Sequence, residues 1–154
     1  MLPSIQAQER AAAVGAEWPM YNRDLAGTRH SPLTQITPAN VAGLREAWTF
    51  TLGRSPDAGS LTGGSEFTPI VVRGVMYVNT PTHVVALEPA TGQEIWRYEV
   101  PMGMPSKRGV GYWPGTGASP ARIFFTSGRR LFALDAATGR PVSEFGVAGI
   151  ADMG

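Results

Sequence analysis

The sequence predicts an all-β chain. A long-period repeat, an abundance of turn residues and a series of short alternating segments all point that way. Ala86-Leu87-Glu88-Pro89-Ala90-Thr91-Gly92 returns 47 residues later as Ala133-Leu134-Asp135-Ala136-Ala137-Thr138-Gly139. The register holds upstream, where Met76-Tyr77-Val78 lies over Ile123-Phe124-Phe125. A period of about 40 to 50 residues built from short strands and glycine-bearing turns is the signature of β-propeller blades. Nineteen Gly and thirteen Pro in 154 residues indicate many turns and few long helices. Two blades cannot close a ring, so the chain reads as part of something larger.

Taken in order, residues 1–17 are rich in Ala and Gln and are expected to be disordered. Order is expected from Trp18. Thr37-Pro38-Ala39-Asn40-Val41 reads as a helix start, with Thr37 as N-cap and Pro38 at the first helical position. Gly43 ends that helix after about one turn. A lone strand that would close an outer sheet is expected near 46–51, where Ala47-Trp48-Thr49-Phe50-Thr51 alternates. Residues 53–65 are rich in Gly, Ser, Asp and Pro and read as a loop.

A first blade is expected over 66–99. Thr68 to Val72 and Val75 to Asn79 flank a two-residue Arg73-Gly74 turn, which is hairpin spacing. Val84 to Glu88 and Glu94 to Glu99 form a second hairpin, with Gly92 supplying the left-handed residue of the turn. A second blade is expected over 108–146, from Arg108–Trp113, Arg122–Thr126, Leu131–Asp135 and Pro141–Phe145, with a Pro/Gly loop at 114–120.

Each part of the repeated motif has a mechanical reason. Ala86 is small enough to admit a neighbouring blade. The acid and Thr91 can hydrogen-bond turn amides. Trp96 sits on an outer strand, where its ring can dock on the adjacent blade. Trp48 stands 48 residues earlier at the same position of a preceding, incomplete blade, and Ser143 takes that position in the second copy. Repeats bury one another's faces, so these residues are read as architecture and not as chemistry.

Composition excludes several function classes. Thirteen basic and twelve acidic residues give a formal charge of +1, and without a basic run of five or more, nucleic acid is not the expected partner. There are no cysteines, hence no disulfide framework or thiolate metal site. No stretch approaches 18 consecutive apolar residues, and the first 17 residues do not make a complete secretory signal. His30 and His83 lie in polar turn contexts with no second ligand at metal spacing, so neither is read as a ligand. No Ser-His-Asp arrangement, phosphate loop or paired carboxylate stands out.

The eleven-residue stretch from Ala86 to Trp96 resembles the tryptophan-docking motif of pyrroloquinoline quinone (PQQ) dehydrogenases, the quinoproteins. The resemblance extends to Trp18-Pro19-Met20-Tyr21-Asn22-Arg23-Asp24 and to Gly27-Thr28-Arg29-His30-Ser31-Pro32-Leu33. It continues through Gln35–Val41, Leu44–Trp48, Arg108-Gly109-Val110-Gly111-Tyr112-Trp113 and Phe145-Gly146-Val147-Ala148-Gly149. The ending and the Arg-Gly-Val form are similar to the glucose-dehydrogenase-like branch. The resemblance covers 18–154, which reads as an N-terminal fragment of an eight-bladed propeller with PQQ at its axis.

Several expectations follow from the resemblance. Glu66 matches the family glutamate that hydrogen-bonds the quinone cofactor, and Arg108 matches the arginine that pairs with a cofactor carboxylate. The intact protein would hold PQQ and calcium in the periplasm. It would oxidise a sugar or alcohol by hydride transfer to the quinone and pass electrons to a quinone or cytochrome acceptor. The alcohol-oxidising branch carries adjacent cysteines before the Arg-Gly motif; this sequence has Gly103-Met104-Pro105-Ser106-Lys107 there. The family's calcium ligands, catalytic aspartate and aromatic floor come from later blades, so no catalytic or metal-binding residue is assigned, and this chain alone is expected to be inactive and to bind neither PQQ nor calcium tightly. The competing reading is a non-catalytic propeller scaffold, such as an outer-membrane assembly lipoprotein, whose similar repeats hold no cofactor. Tyr112 and Trp113 are read as packing at a strand end. The last blade is expected to present an unburied apolar face, a surface for aggregation or assembly.

Overall fold

The computed structural model describes residues 17–51 and 66–154. The disorder expected at 1–16 and the loop expected at 53–65 lie outside the described residues. Glu17 already belongs to the folded part, because its carboxylate accepts a hydrogen bond from the Arg73 amide at 3.0 Å.

Among the described residues, eight strands form two four-stranded antiparallel sheets, each a meander in chain order. The first sheet holds β1 (Ile70–Val72), β2 (Val75–Asn79), β3 (His83–Leu87) and β4 (Glu94–Glu99). The second holds β5 (Gly111–Trp113), β6 (Arg122–Ser127), β7 (Arg130–Asp135) and β8 (Ile150–Asp152). Val, Ile, Phe and Tyr fill the central strands because branched and aromatic side chains pack well on a pleated surface. The β1–β2 turn places Arg73 at φ 51° and Gly74 at φ 74°, the twin left-handed residues whose twist matches that of a two-residue hairpin.

The two sheets pack face to face. Ile70, Tyr77, Val84, Ala86 and Trp96 of the first meet Ile123, Phe125, Phe132 and Leu134 of the second in one buried cluster. Phe125 and Phe132 stack at 4.7 Å between centroids with planes 13° apart. The opposite face of the first sheet carries Val78, Val85 and Leu87, covered by Trp48, Phe50 and Phe67. The side-chain period of two thus sorts β2 and β3 into one face for each neighbour.

The repeated turns are built alike. The Glu88 carboxylate accepts from the Ala90 and Thr91 amides at 3.0 and 2.6 Å, and Asp135 accepts from Ala137 and Thr138 at 3.1 and 2.8 Å. Hydrogen bonds from the turn hold the Glu88 carboxyl below the usual carboxylate range, those of Thr91 and Ala90 foremost. Gly92 and Gly139 both take φ 70°. A Cβ at Gly92 would lie 2.5 Å from the Trp48 ring, and one at Gly139 would lie 2.5 Å from the Trp96 ring. Trp48 Nε1 donates to the Pro89 carbonyl, and Trp96 Nε1 donates to the Ala136 carbonyl, both at 3.0 Å. Each indole therefore docks on the adjacent blade, as the motif predicts, and the structure adds that it does so at the same turn position each time.

Three expectations need correction. Residues 46–51 form no strand, although Trp48 docks as expected: no partner strand lies beside them among the described residues, and an extended segment without a ladder is not a sheet. The fourth strand of the second blade is not Pro141–Phe145. Pro141 and Val142 pair briefly with Leu134 and Ala133; the chain then leaves β7 and returns as β8 at Ile150, so the blade runs to Asp152 instead of ending at 146. Gly146 and Gly149, at φ 55° and 89°, make that excursion possible, because a Cβ at either would lie within 3 Å of the opposing chain. Finally, the helix is a single 3-10 turn, Val41–Gly43, with Asn40 at its N-cap instead of Thr37. The Asn40 side chain instead bonds the Thr37 amide and the Gln35 carbonyl.

The excursion also changes the outer face of the second sheet. Phe145 folds back edge-on against Phe124 at 5.4 Å, so that pair is half-buried instead of open.

Candidate functional site

The segments that precede β1 and β5 converge at one end of the two sheets. Gly109 is the reason. It sits at φ 92°, and a Cβ there would meet the Thr68 carbonyl at 3.0 Å, so only glycine brings the two backbones this close. Upstream, the chain from Met102 to Ser106 is tied to the end of β6. The Ser106 amide donates to the Thr126 carbonyl at 2.8 Å, Ser127 Oγ donates to the Met102 carbonyl at 2.9 Å, and the Asn79 amide group donates to the Ser106 carbonyl at 2.5 Å. Lys107 and Arg108 turn outward from this anchored stretch.

Glu66 and Arg108 both line one open depression of about 300 Å³, together with Tyr21, Phe67 and Thr68. The two sequence-predicted residues are 42 apart in the chain, and the fold brings them to the same space. Both are exposed. The depression thus offers a guanidinium, a carboxylate and aromatic surface together, a set suited to a planar ligand carrying acidic groups.

Sequence reasoning missed Tyr21 as a lining residue, although it lies inside the N-terminal motif. Its placement depends on a backbone contact that periodicity does not encode. Trp18 pairs with Val71 on the free edge of β1 through two hydrogen bonds of 2.8 and 2.9 Å. Trp18 Nε1 then donates to the Tyr21 carbonyl at 3.3 Å. Thr68 and Phe67 follow from Glu66 by adjacency.

Tyr112 and Trp113 lie on β5, away from the depression. Tyr112 stacks on Tyr77 between the sheets at 6.4 Å. Trp113 carries the Arg122 guanidinium over its ring at 5.3 Å. His83 is buried on β3, not in a turn, with Nδ1 2.9 Å from Thr82 Oγ1. Burial, followed by the charge of Arg97, holds its pKa below the usual histidine value. Among the described residues no three His, Cys, Asp or Glu side chains gather as a metal site, and no helix is long and apolar enough to cross a membrane.

A family model described as PQQ glucose/ethanol/alcohol dehydrogenase, β-propeller domain, matches residues 18–154. The chain belongs to the PQQ dehydrogenase family. Among its quinoprotein relatives is a 1-butanol dehydrogenase (cytochrome c) of Thauera butanivorans, 40% identical over an alignment of 139 residues that covers 86% of this chain and 19% of that protein. Another is quinoprotein glucose dehydrogenase A of Acinetobacter calcoaceticus, 31% identical over 91% of this chain and 21% of that protein. The solved quinohemoprotein alcohol dehydrogenase of Comamonas testosteroni superposes with a TM-score of 0.65 at 35% identity, covering 89% of this chain and 20% of that one. The chain therefore spans about a fifth of the length of these quinoproteins, and the two meanders are blades of a PQQ-type propeller. Because the relatives include both alcohol and glucose dehydrogenases, membership is of the family as a whole.

Proposed function

We propose that this chain is the N-terminal part of a periplasmic PQQ-dependent dehydrogenase that oxidises a sugar or alcohol, with Glu66 and Arg108 as cofactor contacts. The observation that carries the proposal is the meeting of these two residues in one depression across the blade boundary. A scaffold propeller has no use for an exposed cation and an exposed anion held together by a glycine contact.

The donor set fits the group. PQQ presents three carboxylates and a pyrrole N–H. A planar guanidinium can take a carboxylate in a forked pair, and the Glu66 side chain can accept from the N–H. When bound, PQQ supplies an ortho-quinone that accepts a hydride, with calcium polarising it in the intact protein. The residues of this chain would bind and orient. Arg108 would fix one edge of the ring system by charge, Glu66 would set its rotation within the plane, and the Gly109–Thr68 contact would hold the two at fixed spacing. Proton abstraction from the substrate and metal ligation would fall to other parts of the protein. The whole protein would pass electrons to a quinone or a cytochrome.

A chimera tests this. The chain replaces the matching N-terminal fifth of the Comamonas enzyme, and dye reduction is followed with PQQ, calcium and ethanol. Turnover is expected in the chimera and none from the 154-residue chain alone. Arg108→Ala and Glu66→Gln in the chimera are expected to weaken PQQ at least tenfold, a loss of about 1.4 kcal/mol. A folded chimera whose PQQ affinity ignores both substitutions refutes the cofactor assignment, and turnover by the isolated chain refutes its reading as part of a larger enzyme.

A further inference from the structure

Tyr21 lines the depression beside Glu66 and Arg108, and it is held there by more than its exposed position. The loop that presents it is anchored at Trp18 on the edge of β1 and cross-braced within itself. The Arg23 amide donates to the Met20 carbonyl at 2.8 Å. Arg29 Nε donates to Asn22 Oδ1 at 2.8 Å. The Asp24 carboxylate accepts from both the amide and the hydroxyl of Thr28, and those bonds hold its pKa low. Two residues of the loop, Arg23 at φ 73° and Arg29 at φ 50°, take a left-handed backbone that non-glycine residues adopt only when their surroundings impose it.

The outcome of this bracing is that the Arg29 guanidinium lies over the Tyr21 ring, 5.7 Å from its centroid. Tyr21 is 51% exposed. A half-exposed tyrosine on a loop with two strained residues, backed by a cation and bordering a charged depression, is a preformed aromatic wall. Arg29 also adds a second positive charge behind the rim, which favours an anionic occupant.

We propose that Tyr21, backed by Arg29, is a specificity-determining contact of the same depression, giving it preference for planar aromatic polycarboxylates over non-aromatic ones. This rests on the proposed function, which assigns the depression to PQQ. Tyr21 supplies ring surface, whereas Arg108 and Glu66 supply charge and hydrogen bonds. The two contributions are therefore separable by choice of ligand.

The test is equilibrium dialysis of PQQ, and separately of citrate, against the Comamonas chimera and its variants up to about 1 mM ligand, the range where weak binding is still read. Tyr21→Ala is expected to weaken PQQ by about tenfold, the upper end for an aromatic contact, and to leave citrate unchanged. Tyr21→Phe is expected to stay within about twofold of the parent, and Arg29→Gln to cost about threefold on PQQ. Circular dichroism on each variant checks that the exposed substitutions leave the fold intact. Unchanged PQQ binding in Tyr21→Ala overturns this inference; if Arg108→Ala still weakens PQQ, the proposed function stands without it. Equal losses of PQQ and citrate in Tyr21→Ala also overturn it, since the ring would then not be what is read. PQQ binding that ignores Arg108→Ala and Glu66→Gln removes the site and this inference together, as does absence of PQQ binding over the whole range.

Discussion

Gly139→Ala isolates the blade-to-blade contact. Two effects add at this position. At φ 70° an alanine costs about 1–2 kcal/mol of backbone strain. Its Cβ would also sit 2.5 Å from Cε3 of Trp96, so the indole must leave the turn. Forcing such an overpacked site apart costs about 1–3 kcal/mol, and the Nε1 bond to Ala136 goes with it. Gly74→Ala is the matched control, because Gly74 has φ 74° but nothing within 4 Å of a Cβ. The excess of Gly139→Ala over Gly74→Ala is therefore the docking term, about 2 kcal/mol. In a domain of this size that corresponds to roughly 4–8 °C in melting temperature. In a Trp96→Leu background the ring is gone, so the two alanine substitutions should cost the same. Thermal melts of the six proteins measure this. Equal shifts for the two alanines in the parent, or an excess that survives Trp96→Leu, would refute the reasoning.

Other outcomes follow from single groups. Tyr77 donates to the Ala136 carbonyl at 3.2 Å, so Tyr77→Phe should cost about 1 kcal/mol. Burial pushes the Tyr77 hydroxyl up to about 12, so its contribution is present at and below pH 10 and is lost as pH climbs from 10 toward 12. Burial also raises the Tyr98 hydroxyl, so alkaline absorbance titration should show more than one late-titrating tyrosine, of which Tyr77→Phe removes the Tyr77 component. His83 is held neutral by burial, with its folded pKa below the unfolded value of 6.5. The unfolded chain then binds more protons on acidification, so stability should fall as pH drops below about 6.5. Melts of His83→Gln should lack that slope. Phe145→Ala uncovers Phe124 and should raise light scattering at high concentration without shifting the two-sheet circular-dichroism signature.

The architecture was legible because propeller repeats carry their contacts in fixed register. Trp48 and Trp96 could be read as docking residues and Gly92 and Gly139 as turn positions from the repeat spacing, whereas which turn each indole grips is a contact between blades that the spacing does not specify. The fourth strand of the second blade was not legible. Pro141 to Phe145 has the right residue types, but the detour through Gly146 and Gly149 is a matter of where backbone can turn, which strand propensity does not report. His83 was misread for a similar reason: its neighbours Thr80 and Thr82 look like a turn, yet Thr80 Oγ1 accepts from the His83 amide at 3.0 Å and helps start a buried strand. Glu66 and Arg108 could be selected only through resemblance, because as isolated charges they look like any solvated loop residue. Tyr21 needed the Trp18–Val71 pairing, a contact of more than fifty residues in sequence that no local pattern foretells.

The forward grip of each indole has a consequence for synthesis. Trp48 bonds a carbonyl 41 residues downstream, and Trp96 bonds one 40 residues downstream. A chain emerging from the ribosome thus exposes each of these two indoles before its receiving turn exists. Each blade is completed only by the translation of its successor, with a nearly constant lag and hence a nearly constant loop-closure cost. The two grips therefore fasten in order from the N-terminus, and the series breaks at the second blade, where Ser143 stands at the tryptophan position. A translational pause placed within about forty codons after a tryptophan of this kind would prolong the most aggregation-prone state of the nascent chain, whereas the same pause just after the glycine turn would not.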